Sequence, residues 1–383
     1  QETNLLYSIK SLLPVMQKRS TWANLGQLEI SNEARWRRYL KLLARGLGDN
    51  LLESRSVSEL WASQLTALRH GLLDLSSSKV VKMPTSSGKT RIAELAIVYT
   101  LVNNPQAKCV YVAPYRALVS EIEQAFLGLL RDLGYRVSST QGVNEDYSMS
   151  DFEEELFRDT DVFVTTPEKL DLILRARPEF FENVSLIVLD EAHIVDDLRR
   201  GMKVELLLTR LKRKLAFAQF LVLSAVIPQS TLEDFASWFN SDFPKDILTS
   251  NWRPSIQRRA KFEWAGQTGV IRYAPDNDMP LLAQEEFVPG IVRTYQFTFR
   301  NPDTNRMNHP KFPESAHKGQ IAAELAFKFA ELGPVLVFCS QTNFASAVAN
   351  ALRDRIRYAA LSGERVPECF QINEETRSLI LCR

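Results

Sequence analysis

Cysteine is scarce in this chain of 383 residues: Cys109, Cys339, Cys369 and Cys382 stand far apart, and none completes a Cys-x-x-Cys or sits near a histidine at ligand spacing. That pattern excludes a cysteine-built metal site and points to reduced structural thiols in a cytoplasmic protein. Long apolar runs are missing too. Stretches such as 185–189 and 220–226 fall far short of the roughly 20 residues that span a bilayer, so no membrane segment is expected. A charge excess of either sign is absent, since the formal net charge is +1. Composition therefore announces no polyanionic partner, and any nucleic-acid contact must come from local patches and backbone amides. Short-period repeats and low-complexity tracts are also absent. The start, Gln1-Glu2-Thr3-Asn4, has neither an initiator Met nor the basic-then-apolar order of a secretory signal, so an internal start in a longer protein is expected.

What is present is a change of texture along the chain. Residues 1–55 read as a helical segment, clearest where Trp36, Tyr39, Leu40, Leu43 and Leu47 fall on one face at three- and four-residue steps. Arg35, Arg37, Arg38, Lys41 and Arg45 line the other face, which reads as an ordinary solvated surface. From 56 to 257 short β-branched runs alternate with helix-length segments: 79–83, 108–113, 136–140, 161–165, 185–190 and 220–224. These runs are apolar nearly throughout instead of alternating, as strands buried on both faces are. They predict an α/β domain with a parallel sheet between helices.

Residues 258–315 are turn-rich and predict a connector with one half-exposed strand through Ile291, Tyr295, Phe297 and Phe299. In 316–383 a helix is expected at 318–332 with Ile321, Leu325 and Phe329 inward, then a strand at 335–339 and a helix at 343–353. This βα unit would begin a second α/β domain that the chain ends too soon to complete.

Two segments carry chemistry. Met83-Pro84-Thr85-Ser86-Ser87-Gly88-Lys89-Thr90 joins a strand to a helix start, where orphan N–H groups and the helix dipole favour phosphate. Gly88 allows close backbone approach, Lys89 can reach β- and γ-phosphates, and Thr90 can ligate Mg²⁺. The general Walker A spacing asks for glycine where Met83 stands, so the loop departs from that pattern. The second segment is Asp190-Glu191-Ala192-His193 at the end of the strand at 185–190, on the edge where open α/β sheets bind ligands. There Asp190 suits the Mg²⁺ shell and Glu191 the positioning of an attacking water.

With both segments in view, the chain resembles the superfamily 2 DEAH/DExH-box helicases. Residues 84–90 are similar to motif I, 113–118 (Ala-Pro-Tyr-Arg-Ala-Leu) to motif Ia, 165–170 (Thr-Thr-Pro-Glu-Lys-Leu) to motif Ib, 190–193 to motif II, and Ser224-Ala225-Val226 to motif III. Trp61-Ala62-Ser63-Gln64 is similar to the segment whose glutamine reads adenine, and Arg200-Gly201 with Asn251-Trp252-Arg253-Pro254 resembles the Ski-like branch.

The resemblance implies a RecA-like P-loop NTPase lobe and an incomplete second one. It implies ATP and Mg²⁺ held by Gln64, Thr85, Ser86, Ser87, Gly88, Lys89 and Thr90, with the metal on Thr90 and Asp190. The catalytic set would be Lys89, Asp190, Glu191 and His193. Arg116, Thr166, Pro167 and Lys169 would hold one nucleic-acid strand by its backbone, with contacts that carry no base information, and Ser224 and Ala225 would couple the two sites.

Two departures stand out. Val226 lacks the hydroxyl usual at the end of motif III, and no Gln-x-x-Gly-Arg-x-Gly-Arg segment, the family's motif VI, occurs. Those arginines would face Lys89 across the nucleotide and are worth ~10³ or more in rate, so these residues alone are expected to bind ATP but hydrolyse it slowly.

The function implied is a cytoplasmic ATP-driven helicase or translocase acting on single-stranded or tailed duplex nucleic acid, DNA favoured over RNA, in bacterial defence or repair. A protein partner in a larger complex fits the same reading. A translocase that does not unwind and an ATP-sensing module without turnover are the alternatives.

Overall fold

The computed structural model describes residues 2–46, 56–139, 158–239, 245–265, 268–275, 286–300 and 305–371; the ends of the runs at 136–140 and 316–383, the last part of the segment 1–55, and parts of the connector lie outside them. The chain divides into two compact units, Gln1–Ser255 and Ile256–Arg383.

Among the described residues, the first unit is built on seven parallel strands: β1 (Lys79–Lys82), β2 (Lys108–Val112), β3 (Val137–Ser139), β4 (Val162–Thr165), β5 (Val184–Leu189), β6 (Gln219–Ser224) and β7 (Ile247–Thr249). Their order is β3-β4-β2-β5-β6-β1-β7, every pair parallel. Six of the seven were anticipated from apolar runs; β7 is three residues long, too short to carry a periodic signal.

The side-chain alternation of a strand sorts the apolar residues into two layers. Val81, Cys109, Tyr111, Leu186 and Val188 pack on one face, and Val80, Val110, Val112, Ile187 and Leu189 on the other. Each buried aliphatic or aromatic side chain stabilises the fold by about 1.5–3 kcal/mol, so the continuous apolar runs feed both layers.

Of the N-terminal helices, Thr21–Leu25 and Glu33–Arg45 join the first layer, whereas Leu12, Leu13, Val15 and Met16 of Glu2–Arg19 are exposed. Helix Glu33–Arg45, capped by Asn32 Oδ1 accepting from Arg35 N at 3.1 Å, buries Trp36, Tyr39, Leu40 and Leu43 among the residues of helix Lys89–Asn103 and its neighbours. Tyr39 donates to Glu94 Oε1 at 2.9 Å, fastening this helix to the one that follows the phosphate loop. Its basic face is largely solvated, although Arg35 turns down to donate to Tyr135 Oη at 3.2 Å.

In the second unit the connector contains more β-structure than one strand. Ala260–Ala265, Thr268–Tyr273 and Glu286–Arg293 form an antiparallel three-stranded sheet, and Tyr295–Gln296 pairs with Lys311–Phe312.

Helix Lys318–Phe329 is present, but its inward face is not the expected one: Leu325 and Phe329 are only half-buried, while Ile321, Glu324 and Phe327 are buried. The reason is an ion pair that a hydrophobic pattern cannot reveal, since Arg355 meets Glu324 at 2.5 Å with both side chains out of solvent. The later helix runs from Thr342 to Ser362, well beyond the expected end. The expected strand at 335–339 has no ladder partner among the described residues, and Leu336 and Phe338 are 92% and 90% exposed. A strand is satisfied only by a neighbour, so an apolar run without one joins no sheet.

Candidate functional site

The phosphate loop hangs from β1 and is held at its root by β6. Lys82 is in register with Ser224, and Met83 N donates to Ser224 O at 3.0 Å. Ser224 is fully buried, so the residue expected to couple the sites forms the wall beside the loop, and Ala225 follows it half-buried.

Ser87, also buried, ties the loop internally: its Oγ donates to Pro84 O at 2.6 Å, and Ser63 Oγ donates to Ser87 O at 2.8 Å. Two residues sit in the left-handed region, Ser86 at φ 60° and Gly88 at φ 88°. A side chain at Gly88 would place its Cβ 2.2 Å from Gln64 Nε2, so the glycine serves both the turn and the close packing. Helix Lys89–Asn103 starts there, leaving its first N–H groups without intrahelical acceptors beside the exposed Thr85, Ser86 and Thr90.

The acidic pair lies at the end of β5. Asp190 N donates to Val112 O, which holds the strand end against β2. The Asp190 carboxylate accepts from Tyr111 Oη at 2.8 Å and from Glu191 N at 2.9 Å. Burial dominates its titration and raises it above the ordinary carboxylate range, against the two hydrogen bonds that favour the charged form. Glu191 has φ 47°, a conformation that costs a non-glycine residue about 1–3 kcal/mol.

That conformation presents Glu191 Oε1 to Lys89 Nζ at 3.1 Å and Oε2 to His193 Nδ1 at 3.2 Å. Neither Lys89 Nζ nor Glu191 Oε2 makes a well-directed hydrogen bond, although both atoms are buried. A buried ammonium near one carboxylate and no hydrogen-bond acceptor is costly, and an anionic oxygen entering the loop would satisfy it. The loop thus fits a polyphosphate. Among the described residues no group of three or more His, Cys, Asp or Glu is placed to hold a metal, so a cation here would share Asp190 and Thr90 with oxygens of a ligand.

Farther along the same sheet edge stand the expected backbone-binding residues. Arg116 is exposed at the start of helix Arg116–Asp132. Thr166 caps helix Pro167–Ala176, its Oγ1 accepting from Lys169 N at 3.5 Å, with Pro167 buried as the first helical residue and Lys169 half-buried. Arg200 braces the two loops. Its guanidinium donates to Pro114 O at 2.8 Å and to Glu168 Oε1 at 2.8 Å, and it lies 5.3 Å from the Tyr115 ring centre. Sequence alone singled out Arg200 but not this bridge, because its partners are distant in the chain. Tyr111 was missed altogether; the available signal was a phenol inside an otherwise apolar strand, which needs a partner for its hydroxyl.

The family follows from this arrangement together with the comparisons. Residues 61–235 match the family described as DEAD/DEAH box helicase. Residues 61–235 thus carry a domain of that family. It is similar to Hachiman protein HamB of Bacillus cereus, 32% identical over 296 residues, covering 77% of this chain and 25% of the relative. It is also similar to ATP-dependent DNA helicase Hel308 of Thermococcus kodakarensis, 33% identical over 232 residues, covering 59% of this chain and 19% of the relative. The chain therefore spans a quarter or less of these relatives. In fold it resembles the crystal structure of the DUF1998 helicase MrfA, with a TM-score of 0.53 at 17% identity, covering 89% of this chain and 44% of that one. The sheet order and the RecA-like lobe agree with this helicase domain. Among the described residues no helix is long and apolar enough to cross a membrane.

Proposed function

We propose that this chain is the nucleotide-binding engine of an ATP-dependent DNA helicase or translocase of the Ski-like branch. The observation that carries the reading is the buried, unsatisfied Lys89 Nζ at the mouth of a left-handed phosphate loop, 3.1 Å from Glu191. Lys89 and the N–H groups at the start of its helix would bind the β- and γ-phosphates, with Thr85, Ser86, Ser87 and Gly88 shaping the cradle.

Thr90 and Asp190 would hold Mg²⁺, which when bound neutralises charge on the phosphate oxygens. Glu191 would orient a water and accept its proton, and His193 would hold Glu191 in place from the other side. Releasing Glu191 from Lys89 would free that carboxylate for the water as the phosphates take over the ammonium. Ser224 and Ala225, rooted against the loop through Met83, would pass its position to the rest of the sheet edge.

Arg116, Thr166, Pro167 and Lys169 would hold the sugar-phosphate backbone of one strand, which gives sequence-tolerant and salt-sensitive binding. Similarity to a Hel308 described as a DNA helicase supports DNA over RNA. Bacterial defence or repair, in the cytoplasm and with a protein partner in a larger assembly, is the setting we assign.

The deciding experiment is DNA-stimulated ATP turnover by the full-length protein alongside displacement of a strand from a tailed duplex. Turnover with displacement is expected for the wild type, and neither for Lys89→Ala. Turnover without displacement would show a translocase that does not unwind. DNA binding with ATP binding but no turnover would replace the proposal by an ATP-sensing module.

A further inference from the structure

The basic face of helix Glu33–Arg45 takes no part in the site at the phosphate loop. Residues 1–46 hold eight Lys and Arg against three Glu, while the whole chain has a net charge of +1, so the remainder is net acidic. Charge divided this unevenly along one chain marks where a polyanion is met. On the helix it is concentrated further. Arg38, Lys41 and Arg45 are exposed at three- and four-residue steps, and Arg37 stands beside them. Glu33 is the one acid in the helix and meets Arg37 at 2.5 Å. Among the described residues no carboxylate pairs with Arg38, Lys41 or Arg45.

The row is held in a fixed geometry. The opposite face of the same helix buries Trp36, Tyr39, Leu40 and Leu43, and the Tyr39 hydroxyl is tied to Glu94 at 2.9 Å. The three cations therefore keep their spacing and span about 10 Å at 1.5 Å of rise per residue. Such a row suits a partner whose own charges are regularly spaced.

Its place in the fold separates it from the strand-binding loops. The helix starts beside the end of helix Lys89–Asn103, where Ser31 N donates to Asn103 Oδ1 at 2.9 Å. It then passes Glu94 and ends where Val57 N donates to Leu43 O at 2.7 Å. It thus covers the first layer, whereas Arg116 and Thr166 stand at the starts of helices that follow strand ends.

The composition of the face chooses among polyanions. Its outward positions are Ala34, Arg37, Arg38, Lys41, Ala44 and Arg45. No aromatic ring is offered to unstacked bases, as single-strand sites require. No large apolar side chain is offered to a bilayer, as interfacial helices require. Phosphates of a regular, stacked duplex are the partner that such a face can hold without either.

Resting on the reading of the chain as part of a DNA helicase or translocase, we infer that Arg38, Lys41 and Arg45, with Arg37 beside them, form a second nucleic-acid surface that holds the phosphate backbone of duplex DNA. The surface carries no base information and is separate from the residues that hold a single strand.

The test is binding of a blunt DNA duplex and of a single strand of equal length to the full-length protein across a salt series. The wild type is compared with the triple variant Arg38→Gln, Lys41→Gln, Arg45→Gln. Glutamine removes charge at exposed positions, so the urea midpoint should not move. The duplex affinity should fall by about tenfold or more, and the slope of log affinity against log salt should shrink by about 2 to 3, at roughly 0.9 per lost phosphate contact. Single-strand affinity and strand-stimulated turnover should stay at wild-type values. Arg38→Lys with Arg45→Lys keeps the charge and should keep the duplex slope. An unchanged duplex slope in the triple variant would overturn the inference, and so would an equal loss for both forms of DNA, which would merge this face with the strand-binding loops. Loss of binding to vesicles of phosphatidylserine and phosphatidylcholine, with duplex binding intact, would reassign the face to a lipid surface. A wild type that binds neither form of DNA would instead bring down the DNA reading on which the inference rests.

Discussion

The two halves of one sheet edge are built on opposite principles. On the side of β1 and β5 the backbone is strained at Ser86 and Glu191, and a buried ammonium lacks a hydrogen-bond acceptor. On the side of β2 and β4 the loops are braced, with Arg200 bonded to Pro114 O and Glu168 and Thr166 capping its helix. Strain and unmet hydrogen bonds persist only where surrounding structure holds them, and they mark where a ligand completes the site. A braced surface suits a guide for a strand that must slide past it. Under the proposed function, the strained half would do the chemistry and the braced half would supply the track.

The largest expected effect comes from removing the unmet charge. In Lys89→Ala the phosphates lose their buried cation, and ATP turnover should fall by about 10²–10³, the cost of deleting one preorganised group that stabilises developing negative charge. The same substitution should change the urea midpoint far less, because Lys89 Nζ makes no hydrogen bond and Glu191 keeps His193 beside it. Loss of stability comparable to loss of turnover would show that Lys89 belongs to the scaffold and would erase the contrast between the halves.

On the braced side the largest effect is on folding. A Cβ at Gly201 would stand 2.0 Å from Val195 O, a backbone atom that cannot swing aside. Gly201→Ala should therefore destabilise the first unit by about 1–3 kcal/mol, as overpacking does, read from urea unfolding. An unchanged midpoint would mean that the turn after Glu191 relaxes freely and braces nothing.

Arg200→Ala should act more gently and more selectively. The exposed ion pair with Glu168 is worth little, but the bond to the Pro114 carbonyl comes from a charged donor, so about 1–2 kcal/mol of loop order should be lost. Affinity for single-stranded DNA should fall by about tenfold with the salt dependence nearly intact, since no phosphate contact is removed. A reduced salt slope would instead make Arg200 a direct phosphate contact and merge brace with track.

The sheet was legible because its strands are buried on both faces, and a continuous apolar run as short as 185–189 fits the interior of a parallel sheet better than any solvated element. The phosphate loop and acidic pair could be found because glycine, lysine and carboxylates at strand ends answer to local chemistry. What escaped depends on distant partners. Helix Lys318–Phe329 was misoriented because Glu324 is buried by Arg355, thirty-one positions away, and an apolar-period argument assigns any glutamate to the surface. The run 335–339 has the composition of a strand, yet pairing belongs to a neighbour and not to the run itself. Tyr111 shows the same limit within the site: its strand was evident, whereas its grip on Asp190 is a cross-strand contact.

That grip gives the smallest effect and the finest test of the strained half. Burial already raises the Asp190 carboxyl, and the Tyr111 hydroxyl opposes the rise by donating to the charged form. Mg²⁺ requires the carboxylate, so metal-dependent ATP binding should weaken as pH falls through this raised value. Tyr111→Phe removes the opposing bond and lifts the carboxyl further, which moves the acid limb of the binding profile to higher pH. Well above both acid limbs the variant should bind as the wild type does, because Asp190 is then ionised in both. Calorimetric titration of Mg²⁺ and ATP across that range reads the displacement directly. An acid limb that stays in place would remove Asp190 from the metal site, and the strained half would then rest on Lys89 and Glu191 alone.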